Sequence, residues 1–327
     1  MNITIIGGSG FIGTRLTTRL LASGYVVKIA DKNDSHKYPH LRVYADVRES
    51  EALGKALAGS DVVINLAAEH RDDVTPISLY DDVNVTGAEN VCNVCTKLGI
   101  RKIIFTSSVA VYGFALLGMD ETGKINYFND YGRTKWLAEG KYRQWLNSDL
   151  ENSLTIIRPT VVFGEQNRGN VYNLFRQIAS GKFLMVGNGK NIKSMAYVEN
   201  VAAFIEYSLG NASGEHLYNY IDKPDFDMNT LVGEVNKVLG KLKKPVHLPY
   251  CIGYFGGLCF DVLAKIFHRK FSISAIRVKK FCSNTMFDAV NIRKTGFKAP
   301  VSLAEGLRKT IRYEFIDKID AHAFYTE

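Results

Sequence analysis

Gly7-Gly8-Ser9-Gly10-Phe11-Ile12-Gly13 stands between a short apolar run, Asn2–Ile6, and a helical pattern, Phe11–Ala22. The glycine spacing is G-x-x-G-x-x-G. Glycines at these positions let the backbone come close to a pyrophosphate. The start of the following helix offers free N–H groups and the positive end of its dipole. A glycine run alone is a weak signal, but one framed by strand and helix is a strong one.

Working outward, strand and helix patterns keep alternating. Tyr25–Ala30, Leu41–Ala45, Asp61–Ala67, Lys102–Ser107 and Leu154–Val162 read as strands. Glu51–Ala58, Val83–Leu98 and Tyr131–Leu146 read as helices. Apolar strands separated by helices predict an α/β protein with a doubly wound parallel sheet of the Rossmann type. Residues 1–165 form the expected dinucleotide-binding domain, with a segment near 190–215 returning to it. Residues 166–189 and 216–327 form a smaller C-terminal substrate-binding domain. That half is less regular, with glycine turns expected at Gly187-Asn188-Gly189, at Gly253 and at Gly256-Gly257.

The dinucleotide itself is read from the strand ends. Gly7, Gly10, Phe11, Ile12 and Gly13 would cradle the pyrophosphate. Asp31, at the end of the second strand, would accept hydrogen bonds from the adenosine ribose and repel a 2′-phosphate, which favours NAD over NADP. Lys32 and Lys37 stand nearby and weaken that discrimination. Asp46 and Val47 would meet the adenine edge. Leu66, Ala67 and Ala68 end the fourth strand with side chains small enough for the cofactor to lie close. Asn84 and Pro159 complete the expected cofactor contacts.

Tyr131-Gly132-Arg133-Thr134-Lys135 puts a tyrosine and a lysine on one helical face. A free phenol titrates near 10 and is a poor base at neutral pH, and a neighbouring ammonium favours the phenolate. Ser108 closes the strand that precedes this helix. The stretches Phe105–Gly113, Tyr131–Lys135 and Arg158–Gly164 come in an order and spacing that resemble the extended short-chain dehydrogenase/reductases, which modify sugars with NAD. That resemblance implies a catalytic triad of Ser108, Tyr131 and Lys135, with Tyr131 and Lys135 also touching the nicotinamide half of the cofactor. It makes a homodimer the default.

Two departures narrow the activity. The family's 4,6-dehydratases carry Asp and Glu where this chain has Val109 and Ala110, so dehydration is disfavoured. Soluble epimerases resemble R-D-F where this chain has Lys193-Ser194-Met195, so a lysine replaces the arginine fork on the diphosphate. The stretches Ala67–Val74, Arg168–Leu174, Lys193–Val198 and Arg277–Cys282 resemble the subgroup that interconverts GlcNAc and GalNAc on undecaprenyl diphosphate for O-antigen synthesis. A transient 4-keto sugar and a lipid-linked sugar diphosphate are then implied, with Ser108, Asn170 and Lys193 at the substrate. The alternatives are a soluble UDP-hexose or UDP-HexNAc 4-epimerase and a reductase of nucleotide 4-keto-6-deoxysugars. A non-catalytic NAD sensor on the same fold predicts a broken triad, which is not what the chain carries.

Composition bounds the rest. The 327 residues are 46% hydrophobic and carry a net charge of +8. No nucleic-acid-reading motif accompanies the charge, so an anionic substrate or membrane surface is the better reading. The five cysteines include Cys92 and Cys95 on a helical pattern with no second pair, which reads as core rather than metal or redox chemistry. No metal is expected. The start of the chain has no basic region and no cleavage signal, and no apolar run is long enough to span a bilayer. The chain is expected in the cytoplasm. Cys251–Ile266 is nearly uncharged and lies between basic clusters (Lys241, Lys243 and Lys244 before it; Arg269, Lys270, Arg277, Lys279 and Lys280 after it). Such a segment either packs as a core helix or, with the stretch to 280, meets the inner face of the cell membrane peripherally.

Overall fold

The computed structural model describes residues 1–71, 74–114, 118–241, 245–267, 274–319 and 321–326, and the side chains of 265 and 266 are left aside with the rest. Lys243, Lys244, Arg269 and Lys270, named above as flanking charges, lie outside the described residues.

The first half is built as β1 (Asn2–Ile6), α1 (Phe11–Ala22), β2 (Val26–Asp31), β3 (Arg42–Tyr44), α2 (Ser50–Leu57), β4 (Val62–Asn65), α3 (Gly87–Leu98), β5 (Lys102–Thr106), α4 (Asp130–Leu146), β6 (Ser153–Pro159) and β7 (Val161–Phe163). There follow α5 (Asn170–Ala179), β8 (Leu184–Val186), β9 (Ile192–Tyr197), α6 (Val198–Tyr207), β10 (Gly214–Tyr220), β11 (Asp222–Asp227), α7 (Met228–Val238), β12 (Val246–Leu248), α8 (Tyr250–Phe267), α9 (Ala275–Cys282), α10 (Val290–Thr295) and α11 (Leu303–Ile311).

Seven parallel strands form the main sheet in the order β10-β6-β5-β4-β1-β2-β3. Helices cover both faces, which is why the strands read as continuous apolar runs rather than alternating ones. On one face α2, α3 and α4 bury Leu57, Val91, Cys95 and Tyr142 against the sheet. On the other, α1 and α6 bury Leu16, Leu20, Val201 and Phe204. Cys92 and Cys95 are core residues of α3, and burial pushes the Cys95 thiol up to about 12. The strand order reverses between β1 and β4, which opens a crevice at the carboxyl ends of the strands.

The returning segment runs from Val198 to Tyr220, later than its expected end at 215. β10 pairs with β6 along its whole length, whereas β9 belongs to a small sheet, β11-β9-β7. The expected single strand Leu154–Val162 is two strands. β6 ends at Pro159, Thr160 turns the chain, and β7 pairs with β9 instead. Around this small sheet a third cluster joins Phe163, Phe175, Met195, Val232 and Leu307 to Phe11 of the dinucleotide domain.

Gly187 and Gly189 are turn residues with φ of +82° and +69°. Gly253, Gly256 and Gly257 are not turns; all three lie inside α8. Their packing explains two of them. A Cβ on Gly253 would stand 2.5 Å from Val186, and one on Gly257 would stand 2.6 Å from the Ala275 backbone. These glycines let α8 lie against β8 and the start of α9.

Candidate active site

The loop after β1 needs its glycines sterically as well as conformationally. Gly7 has φ +75°, and a Cβ there would stand 2.8 Å from the Ala67 nitrogen. A Cβ on Gly13 would meet the Gly8 Cα at 2.5 Å. The turn therefore stays close to both β4's exit and its own helix, and leaves Gly10, Phe11 and Ile12 at the α1 N-terminus. Asp31 closes one end of this cradle. Its carboxylate accepts from the Ser9 amide at 2.9 Å and the Asn33 amide at 2.9 Å. Burial pushes its carboxyl above the ordinary value while those two amides oppose the rise. A buried carboxylate tied to the glycine loop, above a floor that tolerates no Cβ, fits an adenosine ribose and pyrophosphate.

Asp46 is buried and held by Arg48, whose side chain and backbone both donate to it. The Arg48 hydrogen bond holds its carboxyl below the ordinary value. Val47 packs against Gly87 at the head of α3. After β4, the Asn65 amide oxygen accepts from the Ala67 amide at 2.9 Å and so sets the path of Leu66, Ala67 and Ala68. Asn84 lies in a wide helical turn, Asp81–Thr86, ahead of α3. Its amide accepts from the Glu69 nitrogen and donates to the Glu69 carbonyl and the Thr134 hydroxyl, all between 2.8 and 3.0 Å. Asn84 thus clasps the loop after β4 to α4, behind the crevice wall.

Ser108 follows β5 and caps a short turn, accepting from the Ala110 amide at 3.1 Å. Asn129 caps α4 by accepting from the Gly132 amide at 2.9 Å, which fixes Tyr131 in the first turn. The Ser108 hydroxyl stands near enough to the Tyr131 phenol to bear on its titration. Burial pushes the Tyr131 phenol up to about 12, with the Ser108 hydroxyl pulling it back and the nearby Tyr80 raising it. Lys135 is 2% exposed, and burial brings its ammonium down to about 7. Its Nζ lies 6.0 Å from the Tyr131 ring centre and donates to the Thr106 carbonyl at 2.8 Å. The three residues therefore meet. The pull that lowers the phenol in this state comes from Ser108, where the sequence pointed to Lys135.

A buried polar network beneath the triad was not foreseen. Glu139 accepts from Arg158 at 2.8 and 2.5 Å, from Ser107 at 2.6 Å and from Arg143 at 3.1 Å. Arg158 also donates to the Tyr112 hydroxyl at 2.6 Å, which donates to Asn219 at 2.9 Å. The network links α4, β6 and β10 to the turn that carries Ser108. The available signal was Glu139 itself, one helical turn beyond Lys135, paired with the Arg158 that opens the Arg-Pro-Thr motif.

The expected substrate residues lie apart from this cluster in their bonding. Asn170 is exposed in the first turn of α5. Lys193 donates to the carbonyls of Lys280 at 3.0 Å and Ser283 at 2.7 Å, and burial brings its ammonium down to about 8. Two of its three donors thus tie β9 to the end of α9, and it is not an open ammonium. Among the described residues no cluster of three or more His, Cys, Asp or Glu is placed to hold a metal ion.

Comparison with known proteins matches residues 3–220 to the NAD dependent epimerase/dehydratase family. The chain is 54% identical to the N-acetyl-alpha-D-glucosaminyl-diphospho-ditrans,octacis-undecaprenol 4-epimerase of Escherichia coli O157:H7, covering 100% of this chain and 99% of that one. It is 28% identical to the UDP-glucose 4-epimerase of Vibrio cholerae over 94% of each chain. Among solved structures, the UDP-glucose 4-epimerase of Thermotoga maritima superposes with a TM-score of 0.76 at 22% identity, covering 96% of this chain and 98% of that one. The UDP-glucuronic acid 4-epimerase of Bacillus cereus, solved with NAD, gives 0.76 at 19% over 98% and 100%. At these identities the superpositions speak for the fold alone.

Proposed function

The chain belongs to the NAD dependent epimerase/dehydratase family, and on that premise we propose that it inverts C4 of an N-acetylhexosamine, GlcNAc to GalNAc and back, on a polyprenyl diphosphate. The observation that carries this reading is 54% identity, over the full chain, to a relative named for that reaction. The meeting of Ser108 and Tyr131 beside Lys135 supplies the chemistry.

Bound NAD supplies a reversible acceptor for hydride from the sugar carbon. The residues of this chain do the rest. Tyr131 Oη takes the proton of the C4 hydroxyl as a ketone forms and returns a proton after the sugar has presented its other face. Ser108 Oγ donates to the same oxygen and holds it within reach of Tyr131. Lys135 stabilises the phenolate and offers its free donors to the nicotinamide ribose. Val109 and Ala110 put no carboxylate beside the sugar, so water is not eliminated. The diphosphate would be held near Asn170 at the start of α5, with the remaining Lys193 donor as a second contact.

The lipid carrier places the enzyme at the cytoplasmic membrane face. No helix among the described residues is long and apolar enough to cross a membrane. On α8, Ile252, Phe255, Val262 and Phe267 are each 57% exposed or more, and Arg277, Lys279 and Lys280 follow on α9. An apolar face beside cations suits an anionic interface, where each basic residue adds about 1 kcal/mol at low salt. The test is conversion of polyprenyl-diphospho-GlcNAc against UDP-GlcNAc, with co-sedimentation on anionic liposomes at two salt concentrations. Salt-sensitive sedimentation and faster turnover of the lipid-linked sugar are expected. No sedimentation with faster turnover of UDP-GlcNAc would replace this reading with a soluble 4-epimerase.

A further inference from the structure

The segment Ala321–Thr326 touches the loop after β2, the start of α1 and the loop ahead of α5. His322 stacks on His36, with ring centres 4.6 Å apart and planes 14° from parallel. His36 belongs to the loop after β2, beyond Asp31. Phe324 lies 5.9 Å from Phe11, the residue that opens α1 after the glycine turn. The Phe324 backbone exchanges two hydrogen bonds with the loop ahead of α5. Its amide donates to the Gln166 carbonyl, and its carbonyl accepts from the Arg168 amide, both at 2.8 Å. Thr326 donates to the Asn167 side chain at 2.6 Å, and its backbone lies near enough to the His70 ring, just past Ala68, to bear on that imidazole's titration.

The five residues His322–Thr326, whose reach is at most roughly 13 Å, thus run from the loop beyond Asp31 past the start of α1 to the loop ahead of α5. The anchoring loop is itself fixed. Glu314 accepts from the Gln166 amide and the Arg168 guanidinium, each at 2.7 Å, and Arg15 of α1 donates to the Glu165 carbonyl. The partners of this segment come from both domains, so it fastens across the crevice rather than lying on one wall.

We propose that His322–Thr326 is a strap over the bound dinucleotide and that slow release of the cofactor depends on it. An enzyme that returns the hydride it removes needs no exchange of NAD between turnovers, so a closed crevice does not hinder the cycle. The proposal rests on the cofactor site and not on the identity of the sugar.

The test loads full-length protein with isotopically labelled NAD, chases it with unlabelled NAD and follows the label retained after desalting. Phe324→Ala and a chain ending at Ala321 should release label about tenfold faster or more, the factor that accompanies about 1.4 kcal/mol. Phe324→Leu should stay near the parent rate. His322→Ala, which removes the stack on His36 and the edge contact with Phe324, keeps the test available if truncation disturbs folding, and should release label faster as well. Unchanged release in the Phe324→Ala and His322→Ala proteins would overturn the proposal. Slower release would overturn it too, by making the segment a competitor for the crevice.

Discussion

Lys135 donates a 2.8 Å hydrogen bond to the carbonyl oxygen of Thr106, the last residue of β5. Two residues later stands Ser108, so the side chain one turn beyond Tyr131 braces α4 against the strand that delivers the serine. The ammonium is enclosed, 4.8 Å over the Phe105 ring, with Glu139 one turn away. Its charge is therefore held where water cannot screen it, and a change at Lys135 alters position and electrostatics together.

Tyr131→Phe should lower kcat by about 10²–10⁴, the range for a lost acid–base group, with bound NAD unchanged. Ser108→Ala should also slow turnover and leave cofactor content intact. The measurement is steady-state kinetics beside mass analysis of NAD released on denaturation. Near-normal turnover of Tyr131→Phe would remove it from the proton step.

Stability of the cofactor-free protein should carry a signature of Lys135. Its ammonium titrates at about 7 when folded, against an ordinary value of 10.5. Below pH 7 the fold bears the full penalty of a buried charge. From pH 7 to about 10.5 the unfolded chain holds the extra proton, so stability rises with pH. Urea unfolding of the parent and of Lys135→Met at pH 6.5 and 9 reads this. The difference between the two proteins should shift in the parent's favour at the higher pH, and a constant difference would contradict it.

Gly13→Ala should yield folded but cofactor-poor protein. Its new Cβ meets Gly8 backbone at 2.5 Å, so the turn must move to admit it, at about 1–3 kcal/mol. Titration with NAD followed by calorimetry should show weaker binding, while circular dichroism keeps the parent's shape. Unaltered affinity would mean that the turn does not hold the pyrophosphate.

Glu139→Gln should destabilise by about 3–5 kcal/mol in urea, because it leaves the Arg158 charge buried without its partner. Exchanging both, Glu139→Gln with Arg158→Met, should recover much of the loss. The double variant's kcat then tells how far the network positions Ser108. If the single variant unfolds like the parent, Arg158 has another counter-charge.

The sheet, the glycine turn and the pairing of Tyr131 with Lys135 on one helical face were legible because each is local. A strand, a turn and a helix are written by neighbours in the chain, and Tyr131 and Lys135 are i and i+4. What escaped reading depends on distant partners. Gly253 and Gly257 look like turns until Val186 and Ala275 are seen against them. Thr160 looks like the middle of a strand until β10 takes one side of β6 and β9 takes β7. Lys193 looks like a free cation, yet the carbonyls that hold it are about ninety residues away. The bonds of the Asn84 amide to Glu69 and Thr134 could not be read either, since Thr134 is fifty residues on.

β6 and β7 share one almost unbroken run of chain, with Thr160 alone between them and its amide bonded to the Tyr220 carbonyl at 3.1 Å. One extended run is thus a structural beam common to both sheets. Each half is stitched to neighbours on its own sheet, β6 to β5 and β10, and β7 to β9. A change of backbone at this run would therefore disturb the pairing of two sheets at once. Selection for a larger or smaller guest would then fall more readily on side chains and loops at the crevice rim than on this shared run.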